Sequence, residues 1–411
     1  MSRMDICRAC KSSNTYLFLP LGTHPPASRV LAAAELEDEE PRFPLNTHVC
    51  LDCGLIQVPD FIPAEFFRHY FYVPSASETM HRHFASLAGL LIDRFITDPT
   101  ERIVDIGSND GLFLKACNDR GGAATLGVEP AENLTEIARA KGVEVYNEYF
   151  TPETARIARE RYGPAKVITT TNTFNHIDDL HAFMNGVVTL LDDRGVFVIE
   201  VPHALDLVEK NEFDTVYHEH LSEFSVKSLV DLFTFVDMEI FDIDRLEIHG
   251  GSMRIYGQKK GAGYAVSPEV GQWLAREREA GLFERETYDA FRQRVEANKR
   301  STVALLTRLK QEGKKLAGYG APSKGNTLLN YYEIDTRVLD FLADRSTLKQ
   351  GHYAPGTRIP IVAPERILED QPDYLLVLAW NFADEIIEQQ DEYRKRGGKF
   401  ILPIPEPTVV A

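Results

Sequence analysis

The feature that most constrains the fold is a short apolar strand that runs directly into a glycine-rich loop, I-V-D-I-G-S-N-D-G at residues 103–111. An apolar helical segment follows, and further strands alternate with helices at 124–128, 166–170 and 195–201. Strands separated by helix-length segments predict a parallel sheet with helices on both faces. Such a sheet accounts for only part of 411 residues, so we expect two or three domains.

The glycine-rich loop limits what this sheet can bind. Gly107 lets the backbone approach a ligand closely, and the helix that follows offers unpaired N–H groups. The spacing is not the G-x-G-x-x-G of a dinucleotide site, and Asp110 would repel a pyrophosphate but suits a cofactor with a cationic sulfonium and ammonium. One strand later, Glu129 stands where a carboxylate accepts hydrogen bonds from a ribose diol. Two ordinary turns remain the alternative.

Four of the five cysteines form two C-x-x-C pairs, Cys7 with Cys10 and Cys50 with Cys53. Two such pairs are typical of a tetrahedral thiolate zinc site, and in a reducing compartment they favour a metal over disulfides. Because four cysteines leave no open coordination position, we assign this zinc to structure. Cys117 lies on an apolar helix face and is expected in the core.

Three regions differ in pattern. Residues 1–75 hold both cysteine pairs and little helical periodicity, residues 76–262 hold the alternating strands and helices, and residues 263–411 begin with a long charged helix. A second α/β unit in the last region is indicated by strands at 316–319, 337–342, 374–378 and 399–402. We therefore predict an α/β protein with an N-terminal zinc-binding module followed by two Rossmann-like domains.

Charge and hydropathy exclude several classes of partner. The formal net charge of −17 argues against nucleic acid, because binding a polyanion requires clustered cations. The N-terminal M-S-R-M-D-I-C-R-A-C lacks the apolar stretch of a secretory signal, and the longest apolar runs are too short to span a bilayer. We expect a cytoplasmic protein that binds neither membrane nor nucleic acid and is a monomer.

Two histidine motifs are candidates for catalysis. The segment Y-H-E-H-L at Tyr217–Leu221 follows a strand on the edge where α/β folds place substrates. A histidine beside a carboxylate can act as a general base, whereas H-E-H is not the spacing of a helical zinc site. A solvated polar turn is the alternative. His176 follows the strand at 166–170 and is the second candidate, with an ordinary surface histidine as its alternative.

A second glycine-rich loop, G-Y-G-A-P-S-K-G-N-T at Gly318–Thr327, lies between a strand and a predicted helix. Small residues, a helix start, a lysine and hydroxyl donors suit a phosphate group. The loop is not a Walker A motif, and its third glycine is out of register for a dinucleotide site. A substrate diphosphate is the favoured ligand, and an ordinary glycine-rich turn is the alternative.

With these motifs in this order, the chain resembles the sugar C-methyltransferases of bacterial deoxysugar biosynthesis, which include enzymes that methylate C-3′ of nucleotide-linked 4-keto-6-deoxyhexoses. The resemblance covers essentially the whole length. Its most specific matches are Y-H-E-H-L at 217–221, H-G-G-S-M-R at 249–254 and G-Y-G-A-P-S-K-G-N-T at 318–327. It implies a zinc-binding domain at 1–75, a class I methyltransferase domain that binds S-adenosylmethionine at 76–262, and a sugar-nucleotide-binding domain at 263–411.

The resemblance also implies the functional residues. The catalytic set is His220 as the base, Glu219, Tyr217, His176 and a tyrosine that is either Tyr72, the better placed, or Tyr70. The methyl-donor site is expected to comprise Asp105, Gly107, Ser108, Asp110, Glu129, Pro130, Thr171 and Asn172. The acceptor site, for a deoxythymidine or related diphosphate sugar, is expected to comprise Gly320, Ser323, Lys324, Asn326, His249 and Arg254.

The implied reaction starts from a carbon beside a ketone, which becomes nucleophilic when its proton is removed. We expect His220 to take the C-3′ proton, Glu219 to orient the ring and Tyr217 to stabilise the oxyanion. In an extended strand Tyr217 and Glu219 face one side and His220 the other, so convergence requires a bend or a helix start. Methylation at C-5, O- or N-methylation of a nucleotide sugar, and a non-catalytic sugar-nucleotide-binding scaffold remain the alternatives.

Overall fold

The N-terminal region forms a small antiparallel sheet. In the computed structural model, which describes residues 6–59, 62 and 72–411, this sheet has four strands, and the fourth comes from the middle of the chain. The first three are β1 (Thr15–His24), β2 (Phe43–Cys50) and β3 (Ile56–Gln57). The two cysteine pairs lie next to these strands: the first precedes β1, and the second spans the end of β2 and the turn after it.

The central region alternates helices and strands before it ends in a pair of antiparallel strands. Its elements in chain order are α1 (Glu78–Phe95), β4 (Arg102–Ile106), α2 (Leu112–Arg120), β5 (Ala124–Val128), α3 (Glu132–Ala140), β6 (Val145–Tyr146), α4 (Pro152–Tyr162), β7 (Ala165–Thr171), α5 (Leu180–Leu190), β8 (Leu191–Pro202), α6 (Ala204–Glu209), β9 (Ser222–Glu223), α7 (Val226–Thr234), β10 (Met238–Leu246) and β11 (Ser252–Lys259).

These strands, without β9, form a seven-stranded sheet in the order β10-β11-β8-β7-β4-β5-β6. Pairing is parallel from β6 across to β8 and antiparallel from β8 to β10. β4 is buried from Ile103 to Ile106 because apolar helices cover the sheet on both sides. The predicted parallel α/β arrangement is confirmed, and the carboxyl ends of β4, β5 and β7 meet at one edge.

The C-terminal region repeats this architecture. Its elements are α8 (Pro268–Glu279), α9 (Arg285–Gln311), β12 (Leu316–Tyr319), α10 (Ser323–Tyr332), β13 (Leu342–Ala343), β14 (Ile361–Val362), α11 (Arg366–Asp370), β15 (Tyr374–Val377), α12 (Ala383–Gln389), α13 (Asp391–Lys395), β16 (Lys399–Leu402) and β17 (Thr408–Val410). Five of its strands are parallel, and β17 closes the edge antiparallel to β16. The predicted second α/β unit is therefore confirmed.

One predicted strand of this unit is wrong. Residues 337–342 were expected to be extended, but only Leu342 and the following Ala343 pair, as β13. The residues before them form a turn, in which the N–H groups of Val338 and Leu339 donate to the carbonyl oxygen of Asp335 at 2.9 and 3.0 Å. Leu339 is buried and Val338 is partly buried although both belong to a turn, so their hydrophobicity led to too long a predicted strand.

The regions are joined by strand pairing as well as by packing. β9, from the central region, completes the N-terminal sheet by pairing antiparallel with β3. The domain boundaries 1–75, 76–262 and 263–411 therefore stay predictions, because pairing crosses the first of them. No helix in the described part of the chain is long and apolar enough to cross a membrane.

Candidate active site

A cavity of about 530 Å³ opens at the carboxyl edge of the central sheet. All three regions contribute to its wall: Ser28 from the N-terminal region, Glu129 and His220 from the centre, and Lys324 from the C-terminal region. Pockets of this size hold a cofactor or a substrate of ordinary dimensions. The cavity therefore joins the two predicted halves of the site in one space.

The donor side of the cavity is formed by the loops after β4 and β5. Gly107 turns there with φ +75°, and a Cβ at this position would meet Thr173 Oγ1 at 2.3 Å. Asp105, Ser108, Pro130, Thr171 and Asn172 also line the wall. The donor residues predicted from sequence, other than Asp110, thus surround one pocket.

Two buried carboxylates set the charge of this pocket. Glu129 accepts the N–H groups of Asn109 at 2.8 Å and Ala131 at 2.9 Å, and burial raises its pKa. Burial also raises the pKa of Asp105 to about 7, although the hydroxyl of Thr169 donates to it at 2.6 Å and opposes the shift. A cationic ligand would compensate such desolvated carboxylates. This donor set therefore fits S-adenosylmethionine, with its sulfonium, ammonium and ribose diol.

Asp110 does not take the predicted position. Its carboxylate is buried and accepts from the ammonium of Lys141 at 2.8 Å, and it is not among the described residues that line the cavity. It lies just before α2, where the loop turns its side chain toward Lys141, after α3, and not toward the pocket. The expectation that Asp110 faces a cationic cofactor is therefore wrong.

The Y-H-E-H segment bends, as is required for the side chains of Tyr217 and His220 to meet. A 3-10 turn at Phe213–Thr215 precedes it, and the N–H of His220 donates to the carbonyl of Tyr217 at 2.9 Å. This turn brings the hydroxyl of Tyr217 into a hydrogen bond with Nε2 of His220. Glu219 faces elsewhere, and its Oε1 accepts the N–H of Ser28 at 2.9 Å.

Glu223, which was not among the sequence candidates, makes the contact with the ring of His220 that was expected of Glu219. Its Oε1 lies 2.9 Å from Nδ1 of His220, so Glu223 orients the ring. The turn explains this difference from the expectation, because residues three positions apart lie side by side in it. Glu219 instead points to the N-terminal region. The pairing of β9 with β3 holds Glu223 in this position.

Electrostatics keep the imidazole of His220 neutral. Burial is the largest cause and lowers its pKa to about 3, and the nearby charge of Lys324 acts in the same direction. Burial raises the pKa of Glu223 well above its ordinary value, while Lys324 opposes that shift. A neutral imidazole held by a carboxylate is the form that a general base requires.

Of the remaining catalytic candidates, His176 contacts this pair, and Tyr72 is found at the donor loop, where its carbonyl accepts from the amide of Asn109 at 3.2 Å. The ring of His176 meets that of His220 edge-on, with centroids 5.0 Å apart, and burial lowers the pKa of His176 well below its ordinary value. Tyr72 lines the cavity. Tyr70 lies outside the described residues, so the choice between the two tyrosines stays open.

The acceptor side is formed by the loop before α10. Gly320 turns the chain with φ +85°, and Ser323, Lys324 and Asn326 line the wall. The Lys324 ammonium lies 4.5 Å from the ring centroid of Trp380, and its charge lowers the pKa of His220. It therefore faces the reacting end of the cavity.

This loop is tied to the N-terminal region. The hydroxyls of Ser323 and Ser28 are hydrogen-bonded at 2.6 Å, and the amide of Asn326 donates to the carbonyl of Ala27 at 2.7 Å. Since Ser28 also donates to Glu219, one short segment connects the acceptor loop to the Y-H-E-H turn. The sequence offered no signal for this segment.

Arg254 does not reach the acceptor site. It lies on β11, where its buried guanidinium donates from Nε to Glu200 at 2.5 Å. The other oxygen of Glu200 is 2.7 Å from Nε2 of His83. This ion pair belongs to the sheet, so the prediction of a substrate contact for Arg254 is wrong. The side chain of His249 lies outside what the structure describes, and its predicted contact stays a prediction.

The four paired cysteines come together. Their sulfur atoms all lie within 4.8 Å of one another, with 3.6 Å between Cys7 and Cys53 and between Cys10 and Cys50. A tetrahedral zinc with bonds of about 2.3 Å requires sulfurs about 3.8 Å apart, so the cluster fits the metal. The zinc is structural, because thiolates occupy all four positions.

Comparison with known proteins identifies each region. A family described as a C-methyltransferase C-terminal domain matches residues 247–405, a methyltransferase domain family matches residues 80–240, and a family described as a proposed zinc binding domain matches residues 7–67. The C-methyltransferase NovU of Streptomyces niveus is 37% identical over 409 residues, which are 99% of this chain and 97% of that protein.

Solved structures resemble part of the chain. A SAM-dependent methyltransferase from Anabaena variabilis is 15% identical, covers 47% of this chain and 97% of its own, and has a TM-score of 0.35. Magnesium protoporphyrin IX methyltransferase from Synechocystis, solved with bound SAM, is 12% identical, covers 43% of this chain and 77% of its own, and has a TM-score of 0.33.

Proposed function

The chain belongs to the C-methyltransferase family and is an S-adenosylmethionine-dependent enzyme, and from this premise we propose that it methylates C-3′ of a nucleotide-linked 4-keto-6-deoxy sugar. The observation that carries the proposal is the continuity of one cavity from Glu129 to His220 and Lys324. Transfer to carbon requires a carbon nucleophile, and a neutral buried imidazole next to the donor pocket is suited to generate one.

On the donor side, S-adenosylmethionine supplies an electrophilic methyl group on its sulfonium. Glu129 accepts hydrogen bonds from the ribose diol, a charge-assisted contact that strengthens binding. Asp105 places negative charge beside the cationic end of the donor, and the apolar wall around Phe84 and Phe113 excludes water. These residues position the methyl group toward the acceptor half of the cavity.

On the acceptor side, His220 takes the proton from the carbon next to the ketone. Glu223 holds the ring by its Nδ1 contact and offsets the positive charge that the proton brings. Tyr217, which is hydrogen-bonded to Nε2 in this structure, turns its hydroxyl to the ketone oxygen and stabilises the enolate. The deprotonated carbon then takes the methyl group, and sulfur leaves with the bonding electron pair.

The nucleotide is proposed to bind at the start of α10. The first N–H groups of a helix are unpaired and carry partial positive charge, which favours a phosphate. Ser323 adds a hydroxyl donor there, and the ammonium of Lys324 lies between this helix start and the catalytic histidine. With the diphosphate at this point, the sugar lies over His220 and the nucleobase lies outside the cavity.

The decisive experiment is methyl transfer to a panel of 4-keto nucleotide sugars, with the corresponding free sugars as matched controls and product analysis by mass spectrometry and NMR. We expect a methyl group on C-3′ of a nucleotide-linked sugar only. Methylation of a hydroxyl or amino group, methylation at C-5, or equal use of the free sugar would overturn the assignment.

Solvent exchange tests the base. In deuterium oxide, with S-adenosylhomocysteine in place of the donor, wild-type protein should exchange the C-3′ proton of its substrate. His220→Asn should neither exchange it nor form product, although it binds S-adenosylhomocysteine as tightly as wild type. Exchange or near-normal turnover by His220→Asn would remove His220 from the role of base.

A further inference from the structure

Arg8 lies inside the first cysteine pair, yet its side chain leaves the metal site. Its guanidinium donates from Nη1 to the carbonyl of Leu221 at 2.7 Å and from Nη2 to the carbonyl of Val58 at 3.0 Å. Its Nε is 3.4 Å from the carboxylate of Asp178. The side chain is only 11% exposed, so these contacts form away from bulk water, where charge-assisted bonds are strong.

Two of the three partners of Arg8 are close in sequence to the candidate histidines. Leu221 directly follows His220, and Asp178 is two residues after His176. The carbonyl of Leu221 also accepts the N–H of Val58 at 3.0 Å, so the backbone next to the base is held by two donors from the N-terminal region.

The backbone of Arg8 extends the same connection. Its N–H donates to the side chain of Gln57 at 2.9 Å, and Gln57 pairs with Ser222 in the sheet that contains Glu223. The next residue within the cysteine pair is Ala9, whose carbonyl accepts from His181 of α5 at 2.8 Å. The first cysteine pair is thereby fixed to both segments that carry the candidate histidines.

We infer that Arg8 is a positioning residue for catalysis: it links the zinc-bound turn to the backbone that holds His220 and to the loop that holds His176. The inference rests on the proposed role of His220. Zinc would hold the Cys7–Cys10 turn and with it Arg8. Through the carbonyl of Leu221, Arg8 then holds the imidazole of His220 at the correct distance and orientation relative to the acceptor. Misplacement of a catalytic group by about 1 Å can cost about 100-fold in rate.

The test compares Arg8→Met with Arg42→Met. Arg42 is an exposed arginine of the same region that also donates to a backbone carbonyl, but that carbonyl belongs to Thr23 of β1, at 3.0 Å, and not to the segment of His176 or His220. We expect Arg8→Met to lower kcat by about 10- to 100-fold with little change in KM for donor or acceptor, and Arg8→Lys to recover part of the loss. Arg42→Met should match wild type.

Three further measurements separate positioning from loss of structure. Arg8→Met should retain one zinc per chain and wild-type binding of S-adenosylhomocysteine, and its backbone amide of His220 should exchange hydrogen faster.

The outcomes distinguish the two proposals. If His220→Asn is inactive but Arg8→Met keeps full kcat, the positioning role is wrong and the proposed function stands. If Arg8→Met loses zinc or donor binding in parallel with kcat, Arg8 is structural and the inference fails. If His220→Asn remains active, the proposed base itself is wrong, whatever Arg8 does.

Discussion

His220 and Glu223 are joined by a hydrogen bond of 2.9 Å between Nδ1 and a carboxylate oxygen, and both side chains are largely buried. The carboxylate beside His220 in sequence, Glu219, instead accepts the N–H of Ser28. The two glutamates therefore serve different halves of the cavity: one orients the base, and the other holds the segment that contacts the acceptor loop.

These different contacts predict different kinetic effects. Glu223→Gln should lower kcat by about 100-fold or more, since an amide neither fixes the reactive tautomer nor stabilises the imidazolium. Glu219→Ala should mainly raise KM for the acceptor, because it removes the acceptor of the Ser28 N–H and so loosens Ser28 and with it Ser323. Steady-state kinetics of both variants test these two roles. Equal effects on kcat would contradict the different roles of Glu223 and Glu219.

The depressed pKa of His220 predicts an unusual pH profile. An ordinary histidine base is lost by protonation below about pH 6.5, whereas burial lowers the pKa of His220 to about 3. Plots of kcat/KM against pH should therefore lack an acid limb near 6.5 and keep activity to well below pH 6. An acid limb near pH 6.5 in the wild-type enzyme would contradict the lowered pKa of His220.

The same shift has a consequence for stability. Because the pKa in the folded state is below that in the unfolded state, the unfolded chain binds more protons below pH 6.5, and stability falls as pH decreases from about 6.5 toward 3. His220→Asn should make this fall shallower. Urea unfolding at pH 5 and pH 7.5 measures the difference, and an unchanged pH dependence in the variant would contradict it.

The donor pocket predicts a contrast between two acidic residues. Glu129→Gln should weaken binding of S-adenosylhomocysteine by about 10- to 100-fold, as expected for a lost charge-assisted hydrogen bond. Asp110→Asn should leave binding nearly unchanged and instead lower stability by about 1–3 kcal/mol, because it breaks a buried contact with Lys141. Calorimetric titration and urea unfolding check both, and the reverse pattern would return Asp110 to the donor site.

Zinc removal should affect turnover as well as stability. Cys50→Ser should bind less than one zinc per chain, unfold at lower temperature and lose kcat, since the metal fixes the region that holds β9. Cys117→Ala serves as the matched control, because Cys117 is buried away from the cluster in the core beside α1 and should leave zinc content intact. Cobalt substitution should give the absorption of a tetrahedral thiolate site in the control but not in Cys50→Ser.

Local sequence patterns were sufficient to predict much of this architecture. The alternation of strands and helices predicted the central sheet, and the C-x-x-C pairs predicted the sulfur cluster. Asp105, Gly107 and Glu129 were found because a loop at a strand end has a fixed place in a parallel sheet. The antiparallel strands β10 and β11 were not predicted, although Gly250 and Gly251 between them are a turn signal.

The errors have a common cause in long-range contacts. Glu223 could not be identified, because its contact with His220 depends on the pairing of Ser222–Glu223 with a strand more than 160 positions away. Arg254 was assigned to substrate from a motif, whereas its partner Glu200 is a neighbour only across the sheet. Asp110 was misjudged because the direction of a side chain at a helix start depends on the exact turn before it.

Because β3 pairs with β9, the N-terminal region of this chain cannot be removed or exchanged independently of the central region. A fragment that starts at about residue 76 would expose the unpaired edge of Ser222–Glu223 and remove both donors from the carbonyl of Leu221. Grafting the first 75 residues of a relative would replace the partner of that edge together with the part of the cavity wall that includes Ser28, and both changes would alter turnover. Among diverging relatives of this chain, substitutions near Arg8 should therefore be accompanied by compensating substitutions near Leu221.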